Sequence, residues 1–180
     1  MNPPPELARL RFIVRRYAHE HGLEPYDTLA CLGFEILDEF EPWDYHCTPM
    51  NSAAFGAAGG DGLHFNLLTK GPAMGAVVMT APGGEVSNLV VGASFLDFLR
   101  LGYHSCFGWL EALALDSGRA ALLYRRDDEV LTALGVGLRD RLRRDFRLAP
   151  IDDIGDHLRH LQARHLSDLV LPRPAARDRV

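Results

Sequence analysis

Asp61 and His64 stand three residues apart in NSAAFGAAGGDGLHFNLLT (residues 51–69), and His104, Ser105 and Cys106 follow one another in YHSCFG (residues 103–108). A carboxylate and an imidazole meeting in a cleft can work as acid and base, and a histidine beside a thiol can generate a nucleophile. The enzyme such residues would make is a small cytoplasmic hydrolase, or failing catalysis a ligand-binding protein, using a cleft near Asp61 and His64. His64 or His104 would be the base, with Asp61 or Cys106 assisting.

The spacing argues against catalysis. No G-x-S-x-G elbow is present, and Cys106 falls on the apolar side of its predicted helix, where cysteine behaves as a small buried hydrophobe. The glycine cluster at residues 59–62 is equally unlike a phosphate loop, which needs a lysine and a hydroxyl after its last glycine and then a helix. Here Leu63, His64 and Phe65 continue as a strand, so the glycines and Asp61 are read as a hairpin turn between antiparallel neighbours.

Metal and cofactor chemistry has no better footing. Cys31, Cys47 and Cys106 show no C-x-x-C spacing. His157, His160 and His165 share one predicted helix with no acidic or cysteine partner fixed nearby, which reads as a solvated face. His19 and His21 lie at a helix end, where cationic side chains suit the dipole. The acidic pairs Asp127-Asp128 and Asp152-Asp153 sit where helix N-termini attract carboxylates. No catalytic residue, metal or cofactor is therefore assigned.

What remains is a surface. Trp43 and Tyr45 in EPWDYHCTP precede the strands, and amphipathic aromatics there can plug the core or anchor a partner. With Asp61 and His64 they are the candidate partner-binding residues.

The elements that must hold these residues follow from periodicity. Asn2 is read as the cap of a helix that begins on the prolines and carries Leu7, Leu10, Val14 and Tyr17 inward until Gly22 stops it. After Pro25, the apolar residues Leu29, Leu32, Phe34, Ile36, Leu37 and Phe40 predict a second helix. The runs WDYHC, SAAFG, LHFNLLT, AVVMT and NLVV, cut by Gly, Pro and Asn, predict strands in a meander with one covered face, since Leu63, Phe65 and Leu67 alternate with His64, Asn66 and Leu68. Ser94 and Asp97 have capping-box spacing and open a helix ending at Gly102. Further helices are predicted over CFGWLEALALDSG, over the stripe Leu134, Leu138, Leu142 and Phe146, and from Asp153 through Ile154, Leu158, Leu161 and Leu166. The fold class is α+β: an antiparallel or mixed central sheet flanked by N-terminal and C-terminal helices. Residues 1–171 are read as one domain and 172–180 as a flexible tail.

Composition limits the partners. The net charge is −5, and the densest basic run, RDRLRRDFR (residues 139–147), is interleaved with Asp140 and Asp145. That pattern suits a solvated helix face and argues against nucleic acid. No stretch approaches the roughly 18 apolar residues of a membrane span and no leader is evident, so a cytoplasmic protein without membrane attachment is expected.

The order TPMNSAAFGAAGGDGLHF, AVVMT, NLVVGASFLDFLRLG and WLEALALD resembles bacterial members of the SUKH superfamily of Smi/Knr-like and Syd-like proteins, over about the middle half of the chain. The usual leucine-proline start of the first sheet strand is replaced here by Glu41-Pro42-Trp43. The resemblance implies an α+β fold with a sheet packed on helices, no catalytic residues, and a protein-binding role, in bacterial members often immunity against a toxin domain.

Overall fold

The computed structural model describes residues 2–58, 62–84, 86–102, 107, 110 and 131–173. Several expectations fall outside them: the apex of the glycine turn with Asp61, the trio His104, Ser105 and Cys106, most of the helix expected over 106–118, Asp127-Asp128 and the last tail residues.

The first helix, α1, spans Pro5–His21 and buries Leu7, Leu10, Val14 and Tyr17. Asn2 does not cap it. Pro4 takes the cap position without any side-chain bond, and Pro5 needs none at a site where its missing N–H would have had no partner. Gly22 ends the helix at φ 66°, donating its amide to the last carbonyls.

The second helix is a single short piece, α2, Pro25–Ala30. Expected to continue to Phe40, the chain instead turns at Gly33, with φ 81°, and runs on as strand β1, Glu35–Glu41. Sheet pairing overrides the blurred helical period here: Glu35 lies opposite Ala57 and Ile36 opposite Gly56. The turn also drives Phe34 into the core.

Strands β2 (Ser52–Ala57), β3 (His64–Leu68), β4 (Val77–Thr80) and β5 (Asn88–Gly92) complete a five-stranded antiparallel meander in chain order. The run WDYHC is not a strand; it belongs to a connection between Pro42 and Met50. The glycine turn does join antiparallel neighbours, since Ala57 faces His64 and the Ala58 N–H donates to the Leu63 carbonyl at 3.0 Å.

Helix α3, Phe95–Leu101, starts as its capping spacing required: Ser94 Oγ accepts from the Asp97 N–H at 3.1 Å, and Asp97 Oδ2 accepts from the Ala93 N–H at 2.9 Å. Helix α4, Ala133–Phe146, buries Leu138, Leu142 and Phe146 and is capped by Thr132. Helix α5, Ile154–His165, is capped by Asp153 and followed by a 3-10 turn, Leu166–Asp168, where Leu166 is exposed rather than inward. The basic run on α4 is mostly solvated, with Arg141 paired to Asp145 at 2.9 Å and Arg143 to Asp140 at 3.2 Å, but Arg139 is buried.

Both faces of the sheet are covered, not one. Phe65 and Met79 point into a core of Phe34, Phe55, Phe98 and Phe107 shared with α1, α3 and α4. On the other face, Leu68, Val78 and Val90 pack against Leu161 of α5. None of the described helices is long and apolar enough to cross a membrane.

The two sheet edges are closed by side chains. Arg11 donates to the carbonyls of Leu37 and Asp38 on β1. At β5 the Gln162 amide completes the ladder like a strand residue: its Oε1 accepts from the Val90 N–H at 2.9 Å and its Nε2 donates to the Val90 carbonyl at 2.7 Å. An open edge invites pairing with another chain. Gln162→Leu should therefore lose about 1–3 kcal/mol and self-associate as concentration rises, which sedimentation velocity would read. An equally stable, monomeric variant would show that the edge does not depend on this amide.

Candidate functional site

Since His64, Asn66, Thr80 and Asn88 share α5's face of the sheet with Leu68, Val78 and Val90, residues 42–51 cover the part of that face that α5 itself does not reach. They bring Trp43, Tyr45 and His64 together, with ring centroids 4.9 Å apart for Trp43 and His64 and 5.3 Å for Tyr45 and His64, the latter pair stacked. Trp43 and Tyr45 also touch each other at 5.9 Å. Trp43 is half-buried and Tyr45 is 39% exposed, while His64 is 0% exposed.

Gly62 makes room for this arrangement. It sits at φ 75°, and a Cβ there would lie 3.2 Å from the Tyr45 ring. Only a residue without a side chain accepts both conditions at no steric cost.

Both imidazole nitrogens are committed. The Gly62 carbonyl, 2.7 Å from Nδ1, can only accept, so Nδ1 carries the proton; Nε2 then accepts from the Thr48 hydroxyl at 3.0 Å. Burial lowers the His64 pKa below its ordinary value, opposed by the bond to Gly62. His64 is thus a neutral support beneath two aromatic rings. It has no lone pair free to act as a base, and its ring, 0% exposed, lies beneath the two aromatics rather than at the surface.

A polar chain extends the support across the sheet. Thr80 lies opposite both His64 and Asn88. Asn66 Nδ2 donates to Thr80 Oγ1 at 3.0 Å, Thr80 donates to Asn88 Oδ1 at 2.8 Å, and Asn88 Nδ2 donates to the Cys47 carbonyl at 2.9 Å. This chain ties the loop backbone to three strands, so the aromatic pair is presented by a fixed scaffold. Alternation along β3 signalled that His64 and Asn66 share a face. Nothing local signalled that Thr48 and Cys47 would cover it.

Two exposed carboxylates flank the rings in sequence, Glu41 before Trp43 and Asp44 between Trp43 and Tyr45, whereas Asp38 on β1 lines a separate groove with Arg11 and Arg15. Asp61, the remaining predicted contact, is not among the described residues.

The α5 histidines are not a uniformly solvated face. His157 Nε2 meets Asp97 Oδ2 at 3.1 Å, supplying the acidic neighbour that the spacing could not reveal, and His165 is buried; His160 alone is well exposed. No group of three or more His, Cys, Asp or Glu among the described residues could hold a metal ion.

No family model matches this chain, and neither a curated protein nor a solved structure does.

Proposed function

We propose that this chain is a non-catalytic protein-binding module whose partner is a basic protein domain, and that it acts by occupying that domain. The observation that carries the reading is the aromatic pair Trp43 and Tyr45, partly exposed, held over a buried, neutral His64 and flanked in sequence by the exposed Glu41 and Asp44. Large rigid aromatics lose little conformational entropy on binding and dominate interface energies. Carboxylates flanking them would steer a cationic partner and disfavour acidic ones. The SUKH resemblance supplies the biological setting: a bacterial immunity protein neutralising a toxin domain in the cytoplasm.

A photoreactive residue in place of Tyr45 tests this in living cells. It should capture one basic protein, and that protein should bind the purified chain with its affinity reduced roughly 30-fold or more by Trp43→Ala or Tyr45→Ala. Phe12→Ala, on the outer side of α1, should leave binding unchanged. For the immunity role, expressing the captured domain alone should arrest growth and co-expressing this chain should restore it. Capture of nothing specific, or unchanged affinity in both aromatic variants, would overturn the reading.

A further inference from the structure

We propose that the groove between α3 and α5 binds a small phosphate ester. The groove encloses about 520 Å³, within the range of small-molecule sites. It has an apolar floor of Ala93, Leu96 and Leu161 and a wall of imidazole and guanidinium groups from α5. A chain of net charge −5 concentrates His157, His160, Arg164 and His165 here at helical spacing, on one side of one helix.

The hydrogen bonding separates the groups already committed from those still able to bind. Asp97 is already engaged within the fold, by Arg100 at 3.1 Å, by His157 at 3.1 Å and by the Ala93 N–H at 2.9 Å. Arg100 is further held by the carbonyls of Ala149 and Pro150. Asp156 pairs with Arg159 at 2.9 Å and accepts the His160 Nδ1 bond through its carbonyl at 2.9 Å, which leaves His160 Nε2 outward.

With the His160 Nδ1 proton given to the Asp156 carbonyl, two donor positions remain: the Arg164 guanidinium and His165 Nε2. The last is the informative one. It is buried and has no hydrogen-bond partner among the described residues, while its other nitrogen stands 3.8 Å from Asp168, beyond hydrogen-bonding distance. A buried polar atom left without a partner is disfavoured, and an acceptor oxygen brought by a ligand would satisfy it. A guanidinium and an imidazole donor lining one groove suit a phosphate, and the apolar side chains of Leu96 and Leu161 suit the organic part of an ester. This site does not rest on the aromatic pair, so either proposal can fail alone.

Phenyl phosphate is the probe, added to the full chain while the histidine ring resonances are followed by long-range proton-nitrogen NMR. Saturable shifts confined to His157, His160 and His165 are expected, with inorganic phosphate weaker and phenol inactive. Arg164→Gln should weaken binding about tenfold, as loss of a charge-assisted bond requires. His165→Phe, which keeps a ring in place, should weaken it comparably while leaving the thermal midpoint unchanged or higher. Equal binding of phenol, shifts spread over all the histidines, no saturation, or unchanged affinity in Arg164→Gln would each overturn the site. If His165→Phe lowers the midpoint and binding stays intact, the buried nitrogen is structural and the proposal falls.

Discussion

Phe34→Ala is expected to remove about 3–5 kcal/mol of stability, the largest effect of any substitution considered for this chain. Phe34 is 1% exposed and occupies the point where the N-terminal helices, the sheet and α3 meet. Its ring sits edge-on to Phe65 at 6.0 Å, to Phe98 at 5.8 Å and to Phe107 at 4.6 Å. It also lies against the backbone of β2, since a Cβ on Gly56 would come within 3.3 Å of it. Truncation therefore loses the transfer free energy of the ring, leaves a cavity between rigid neighbours, and removes three aromatic pairs worth about 0.5–1.5 kcal/mol each beyond their area. Some of these contributions overlap, which is why the sum is not expected in full. Urea unfolding would measure the loss, with Phe12→Ala as comparison: Phe12 is 64% exposed and should change stability by no more than about 0.5 kcal/mol. Equal effects at the two positions would show that Phe34 does not sit at the centre of the core.

The second large effect is a dependence of stability on pH that originates in His64. Its native pKa is held below the ordinary 6.5 by burial, against the bond to Gly62. Above pH 6.5 the imidazole is neutral in both folded and unfolded chains, and its contribution is fully present. As pH falls below 6.5 the unfolded chain takes up the proton first, so stability declines, by up to about 1.4 kcal/mol per pH unit. The decline ends once the pH has passed below the native pKa. A protonated ring would present Nε2–H to the Thr48 hydroxyl that now donates to it, and would place a charge beneath Trp43 and Tyr45. His64→Gln keeps one donor and one acceptor but gains no proton. It should lose about 1–3 kcal/mol at neutral pH, from poorer packing under the two rings, and its stability should fall less steeply than that of the wild type below pH 6.5. All other groups are common to both proteins, so the difference between the two slopes is the measurement. Parallel slopes would mean that His64 is not held neutral by the fold.

These two residues also show how far the linear chain can be read. Local signals were sufficient wherever a short-range rule governs. Gly22 stops α1, Ser94 and Asp97 cap α3, Asp153 caps α5, and the glycine-rich turn joins antiparallel β2 and β3 because few other residues tolerate such a turn. Alternation placed Phe65 and Leu67 on one face of β3 and His64 and Asn66 on the other. Those features suffice for the α+β class and the meander order, since neighbouring strands joined by short turns pair with each other.

Long-range competition decided the rest. Residues 35–41 carry a helical density of apolar side chains, yet they form a strand because β2 offered backbone partners and Gly33 allowed the turn. WDYHC has strand composition, yet it became a lid because the polar row His64, Thr80 and Asn88 needed covering and its backbone could supply the Cys47 carbonyl. His64 and Asn66 looked like an outward face for that same reason: a period of two tells which residues share a side, not what lies on it. The aromatic site and the His157 and Asp97 pair join residues separated by up to 60 positions, and no spacing rule spans such a distance. Sequence by itself determined the elements that a local rule governs and their chain order; only tertiary packing decided whether residues 35–41 and WDYHC join the sheet and which polar face was buried, because pairing and burial depend on what else the folded chain offers to each segment.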